Sequence, residues 1–214
     1  MQDMNQLYPL FADVADRTAL VIGGGHVAER KVLALLESGA QVTVVSPEIT
    51  EKLAELYSDG QIEVCRCDYQ KGDLAGAWLV IAATDDEQIN RQIFAEANER
   101  HIFCNVVDRP ELCSFQVPAV VRRGDLQIAV STSGTSPVLA KIIRQQLQEK
   151  YSEHYEIFLA KLGELRTHYK KKYPDNQSRR AELLEEFVNS EALDLLQQGK
   201  VDEFQTLLNK WKNR

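Results

Sequence analysis

No stretch of apolar residues in this 214-residue chain approaches the roughly 18 needed to cross a bilayer, so a spanning helix is not expected. The opening Met1-Gln2-Asp3-Met4-Asn5 has neither a basic nor an apolar region, and it does not read as a signal peptide. Positive charge is in short supply: 25 Lys and Arg against 32 Asp and Glu leave a net charge of −7. That balance disfavours nucleic acid or an anionic membrane as partner of the whole molecule, but it leaves room for a local basic pocket. Cysteine is scarce too. Cys65, Cys67, Cys104 and Cys113 form no CxxC pair and no metal-finger spacing, which reads as reduced thiols in a cytoplasmic protein. The four histidines are scattered without ligand spacing, so no metal site is expected. What is present is ordinary for a globular protein: 44% apolar residues, enough for a sizeable core.

Short β-branched runs alternate with helical patterns from Thr18 to about Cys113, as in βαβ units around a parallel sheet. The strand runs begin at Ala19, Val42, Ile62, Trp78 and Phe103, with helices expected over 27–38, 50–58 and 87–100. After Ser114, the residues Phe115 and Val117 and the run 126–130 suggest more strand, with a turn at Arg123-Gly124-Asp125. A helix should then begin near Val138, with Ser136 as N-cap and Pro137 at its first position. From about Tyr151 the sequence is helical in character, broken near residues 172–176 and again at Gly199. The fold class is therefore α/β: a Rossmann-type parallel sheet (1–113), a small α+β dimerisation and pocket segment (114–150), and a C-terminal helical domain (151–214).

The strongest local signal is Gly23-Gly24-Gly25-His26-Val27-Ala28, a G-x-G-x-x-A turn between a strand and an amphipathic helix. Gly23 permits the tight turn, Gly25 lets the backbone approach a pyrophosphate, and the helix N-terminus supplies amide donors. An NAD-binding Rossmann domain usually carries an acid at the end of its second strand to hold the ribose. Here that strand ends Val45-Ser46-Pro47-Glu48, so Ser46 and Glu48 are the groups available. No Arg immediately follows, which favours NAD over NADP. Thr84 at the end of the fourth strand is a candidate cofactor contact, and Asp85 and Asp86 read as caps of the next helix. The fifth strand ends Asn105-Val106-Val107-Asp108-Arg109, where Asp108 is either an acid facing the reacting groups or a loop carboxylate paired with Arg109. Ser131-Thr132-Ser133-Gly134-Thr135-Ser136-Pro137 is a second helix-opening turn suited to an anion. Arg122, Arg123, Lys141 and Arg144 lie near it in sequence and read equally as solvated surface charge.

Taken in order, 21–31, 39–47, 82–86, 105–108, 113–115 and 131–140 resemble the siroheme synthase N-terminal family, the precorrin-2 dehydrogenases, some of which are also sirohydrochlorin ferrochelatases. The resemblance implies NAD-dependent oxidation of precorrin-2 to sirohydrochlorin in siroheme and porphyrin-type tetrapyrrole biosynthesis, by a homodimeric oxidoreductase. It implies a catalytic role for Asp108 and cofactor contacts from Gly23, Gly24, Gly25, His26, Val27, Ser46, Pro47, Glu48, Thr84 and Asn105. Substrate contacts are implied for Ser114, Arg122, Arg123, Ser133, Gly134, Thr135, Ser136 and Lys141, because precorrin-2 carries eight carboxylates. Iron insertion by the same chain, or a non-enzymatic nucleotide-sensing Rossmann module, are the alternatives. The chain lacks the length for a fused methyltransferase.

Overall fold

A computed structural model describes residues 7–214. They form two compact units, divided between residues 117 and 118. The first unit alternates strand and helix: β1 (Thr18–Ile22), α1 (His26–Leu36), β2 (Gln41–Val45), α2 (Glu51–Ser58), β3 (Glu63–Cys65), β4 (Leu79–Ala82), α3 (Glu87–Glu99) and β5 (Phe103–Val106). All pairings in this sheet are parallel, in the order β3-β2-β1-β4-β5.

Alternation within the strands builds two cores. Ala19, Val21, Val42, Val44, Leu79 and Ile81 face one side with Val32 and Leu35 of α1 and Leu53 and Leu56 of α2. Leu20, Ile22, Val80, Ala82, Cys104 and Val106 face the other, with Ile93 and Ala97 of α3. A strand covered on both faces has no polar side to show, which is why β4 reads as an unbroken apolar run. Each fully buried Val, Leu or Ile contributes about 1.5–3 kcal/mol.

The outward edge of β5 is closed by the segment that follows it. The Cys104 N–H donates to Ser114 Oγ at 2.7 Å, and the Ser114 N–H returns to the Cys104 carbonyl at 2.8 Å. The Val106 N–H donates to Cys113 Sγ at 3.3 Å. The sequence placed a strand near Phe115 and Val117; the structure starts it at Ala119 instead. The reason is local: the Phe115 carbonyl and the Ser114 and Phe115 N–H groups are already bonded to β5.

A buried acid secures the crossover between β3 and β4. Glu96, 2% exposed, accepts hydrogen bonds from Tyr69 Oη (2.6 Å), the Gly72 N–H (2.9 Å) and Arg100 Nε (2.8 Å). Burial alone would raise its pKa, but these donors outweigh it and hold the carboxyl below its ordinary range.

In the second unit, β6 (Ala119–Arg123) and β7 (Leu126–Val130) make an antiparallel hairpin turning at Gly124, whose φ is +55°. Helix α4 (Pro137–Lys150) is N-capped by Ser136, whose Oγ accepts from the Leu139 N–H at 3.2 Å. Helices α5 (His154–Lys172), α6 (Gln177–Val188), α7 (Ala192–Gln197) and α8 (Val201–Lys212) share a core of Phe158, Leu165, Tyr169, Leu183, Phe187, Leu208 and Trp211.

One reading of the thiols is corrected. Cys65 and Cys67 are joined as a disulfide, whereas Cys104 and Cys113 are free. Positions i and i+2 of an extended chain share a face, and the Cα atoms stand 5.5 Å apart, within bridging range. No group of three or more metal-ligating side chains occurs among the described residues, and none of their helices is long and apolar enough to cross a membrane.

Candidate functional site

The winding of the sheet changes direction between β1 and β4, the point where open parallel sheets hold ligands beyond their carboxyl ends. The glycine turn leaves β1 at this point, and its three glycines do different work. Gly23 has φ +113°, and a Cβ there would lie 2.4 Å from the Ala83 carbonyl oxygen. Gly24 lies against the loop after β2, where a Cβ would come within 2.0 Å of the Glu48 carbonyl oxygen. These two are required by the protein's own packing. At Gly25 an added Cβ would meet nothing within 4 Å among the described residues. Gly25 is also the N-cap of α1, and no side chain caps that helix. Bare backbone, first-turn amides and open space fit the pyrophosphate of a dinucleotide. His26 and Val27 form the start of the helix, with His26 Nδ1 3.6 Å from the Glu29 carboxylate.

The neighbouring strand ends are braced. Ser46 is buried; its hydroxyl donates to the Glu48 carbonyl (2.7 Å) and its N–H donates to the Cys65 carbonyl (3.0 Å). The hydroxyl hydrogen is thus used within the loop, and its oxygen remains an acceptor. Pro47 and Glu48 are exposed. Thr84 Oγ1 accepts from the Asp86 N–H and lies 3.2 Å from Asn90 Oδ1, while Asp86 caps α3 through the Gln88 and Ile89 amides. Buried Asn105 donates from Nδ2 to the Phe115 carbonyl at 3.0 Å.

Asp108 follows the end of β5 with φ +58°, a conformation that Asp tolerates better than most residues. It is exposed, and it makes no hydrogen bond or ion pair among the described residues. Arg109 faces Glu87 instead, at 3.9 Å, so the alternative of a simple Asp108–Arg109 pair is not what the structure forms. The cation near Asp108 is Lys31 of α1, half-buried. Its pKa is lowered by burial and by Arg30, with Asp108 and Cys113 acting in the opposite direction. Lys31 was not singled out from sequence, although it lies one turn beyond Val27 and Ala28, on the same helical face. Cys113 was also missed. Its Sγ lies 3.3 Å from the Val106 carbonyl and 3.2 Å from the Arg109 carbonyl, with burial the main cause that pushes its thiol pKa up. Ser114, expected to contact a ligand, uses its hydroxyl on Cys104.

In the second unit, residues 131–136 form a polar turn with Ser133 at φ +51° and Gly134 at φ +81°. The Ser133 N–H bonds Ser131 Oγ (3.1 Å) and the Ser136 N–H bonds Thr132 Oγ1 (3.0 Å), so the turn is ordered by its own hydroxyls. Ser133, Gly134, Thr135 and Lys141 are exposed. Arg123 has a structural task that the sequence did not suggest. Its guanidinium donates to the carbonyls of Tyr151 (2.9 Å), Arg122 (2.8 Å) and Gln148 (3.0 Å), clamping the end of α4. Arg122 is exposed on β6.

Residues 10–119 match a family model described as "Putative NAD(P)-binding", and residues 123–150 match one described as "Sirohaem biosynthesis protein central". The chain is 44% identical over 172 residues to a siroheme synthase of Methylobacillus flagellatus, covering 80% of this chain and 37% of that protein. It is 40% identical over 172 residues to siroheme synthase 3 of Aeromonas hydrophila subsp. hydrophila, with the same two coverages. The chain therefore spans little more than a third of the length of these relatives. Among solved structures it is similar to "SirC, precorrin-2 dehydrogenase", with TM-score 0.77 and 30% identity over 95% of this chain and 100% of that one.

Proposed function

The chain belongs to the NAD(P)-binding siroheme-biosynthesis family, and on that premise we propose that it oxidises precorrin-2 to sirohydrochlorin with NAD⁺. The observation that carries this reading is the edge of the first unit. There an open glycine cradle and an exposed, unbonded Asp108 lie beyond the carboxyl ends of β1 and β5, separated by one strand.

A nicotinamide dinucleotide, when bound, supplies the hydride acceptor. Gly23, Gly24, Gly25, His26 and Val27 form its pyrophosphate turn, while Ser46, Pro47 and Glu48 flank the ribose end. Thr84 and Asn105 keep the strand ends in shape. Asp108 accepts the proton that leaves the tetrapyrrole as hydride departs, so the products are sirohydrochlorin, reduced dinucleotide and a proton. Ser114 and Arg123 enter this scheme as braces. Ser133, Gly134, Thr135, Ser136 and Lys141, with Arg122, provide donors for substrate carboxylates. A preference for NAD over NADP is supported by Glu48, an exposed carboxylate that would repel a ribose 2′-phosphate. We assign the working form as a cytoplasmic homodimer. Residues 114–150 are read as its dimerisation and pocket segment and 151–214 as a supporting helical domain.

The test is purified protein with precorrin-2 and either NAD⁺ or NADP⁺, following the reduced nicotinamide. The parent turns over with NAD⁺ preferred, and Asp108→Asn loses most of the rate while keeping dinucleotide affinity. Full activity of the variant would remove Asp108 from the chemistry, and an inert parent would leave a nucleotide-sensing module as the reading. Preference for NADP⁺ would redirect attention to Arg66, the exposed cation just beyond β3. Iron insertion is a second reading that rests on the same carboxylate, since metal entry also requires loss of pyrrole protons. Sirohydrochlorin with Fe²⁺, measured above the uncatalysed background, decides it.

A further inference from the structure

The geometry points to Cys65 and Cys67 as a reversible thiol–disulfide site that tunes dinucleotide affinity, an inference that rests on the cofactor reading of the glycine turn. Cys65 is the last residue of β3 and is exposed; Cys67 is half-buried, packed against the core that contains Val45 and Tyr69. Both sulfurs are removed from Asp108 in the strand order, since β3 and β5 are the two ends of the sheet. The pair therefore acts at the adenosine side of the turn and not at the reacting end.

A short chain of contacts connects the bridge to that turn. The Cys65 carbonyl accepts the Ser46 N–H at 3.0 Å, in the first position beyond the β2–β3 ladder, where Val45 is in register with Cys65. The Ser46 hydroxyl fixes the Glu48 carbonyl at 2.7 Å. The Glu48 carbonyl in turn abuts Gly24, leaving no room for a methyl group, and the Thr50 N–H bonds the Gly24 carbonyl at 3.0 Å. Each link is a direct contact, and all belong to the same unit. Bridging Cys65 to Cys67 restricts the backbone at the end of β3, so the Cys65 carbonyl is held toward Ser46. With the bridge opened, the three-residue strand is held there by its ladder to β2 and by side-chain packing, without the covalent tie. The bridged form therefore holds the loop that braces the turn, and it should bind the dinucleotide more tightly.

The oxidation balances with a disulfide as oxidant, either low-molecular-weight or on a protein. The exposed Cys65 thiolate attacks one sulfur of the oxidant and releases the other as a thiol, leaving a mixed disulfide on Cys65. The Cys67 thiolate then attacks the Cys65 sulfur and releases the second thiol. Two electrons pass to the oxidant, and the two protons lost from the cysteines are carried by the two thiols formed. Cys104 does not compete, because burial pushes its thiol up to about 12 and it has no solvent access.

The experiment uses the full chain equilibrated with glutathione buffers from fully reduced to fully oxidised. Intact mass and peptide mapping read the loss of two hydrogens between Cys65 and Cys67, and calorimetric titration with NAD⁺ and with NADP⁺ reads affinity in each state. The expected result is a bridge confined to this pair and a Kd about fivefold lower in the bridged form, the lower end of ordinary coupling between sites. The Cys65→Ser/Cys67→Ser double variant should bind like the reduced parent and ignore the buffer. Bridge formation with equal affinities overturns the coupling alone. No bridge even in fully oxidised glutathione overturns the site. Binding by neither form overturns the cofactor reading, and the coupling with it.

Discussion

The thiol of Cys113 lies 3.2 Å from the carbonyl oxygen of Arg109, the residue that follows Asp108. The same sulfur reaches the Val106 N–H and carbonyl at 3.3 Å, so one side chain fastens both ends of the turn that carries the acid. An Asp at φ +58° needs such a frame, because its carboxylate takes no hydrogen bond or ion pair among the described residues.

Cys113→Ala should therefore loosen the turn by about 1 kcal/mol, a weak hydrogen bond's worth. The turnover number should fall about fivefold. The dinucleotide KM should not change, and Cys113→Ser should recover most of the loss because its hydroxyl can bond the same groups. Steady-state kinetics of the three proteins checks this; a change confined to KM would place Cys113 in binding.

The glycines should separate by substitution. Gly23→Ala and Gly24→Ala put a methyl group into the Ala83 and Glu48 carbonyls, and both should unfold at markedly lower urea than the parent. Gly25→Ala meets only open space, so its urea midpoint should stay with the parent while dinucleotide affinity drops at least tenfold. Equal affinity for Gly25→Ala would mean the cradle does not hold the pyrophosphate.

Glu96 gives the fold an acid-sensitive joint. Its folded-state pKa is lowered by three donors against the opposing effect of burial, so its contribution is complete above the ordinary Glu value near 4.3. That contribution is lost as pH falls through the lower folded value. Glu96→Gln should cost about 2–4 kcal/mol at pH 7, because charged hydrogen bonds are lost around a buried group. The gap from the parent should narrow at pH 3, because below the ordinary Glu value protonation favours the parent's unfolded chain. Urea unfolding at both pH values measures it.

Arg123 and Lys141, close in sequence, should fail differently. Arg123→Ala releases two carbonyls at the end of α4 and that of Arg122 on β6, and Arg123→Lys cannot reproduce the fork that reaches them. Both should lower thermal stability. Lys141→Ala leaves stability alone and raises the KM for precorrin-2, as expected of an exposed cation serving carboxylates. A KM effect with unchanged stability in Arg123→Ala would return that residue to the ligand.

The sheet could be read from sequence because its strands are β-branched runs separated by helical periods, and β1, β2, β4 and β5 lie within a residue or so of their expected places. The glycine turn was legible for the same reason: its residue type is dictated by φ and by close backbone approach. Ser46, Ser114 and Arg123 were harder. A hydroxyl or guanidinium in a loop announces a hydrogen bond without naming its partner, and here the partners are carbonyls and amides up to 28 residues away. Lys31 and Cys113 take their meaning from a neighbour brought close only by folding. The Cys65–Cys67 bridge has its own signal in the sequence, as alternate positions at a strand end, a spacing distinct from CxxC.

The stitched edge of β5 has a consequence for assembly. Cys104 and Val106 are the β5 residues whose backbone groups face away from β4, and Ser114, Cys113 and Arg109 already bond them. A stray strand finds no open ladder there, so copies of this chain cannot polymerise by adding strands at that end of the sheet. Any association at that end must run through side chains, where sequence can specify the partner.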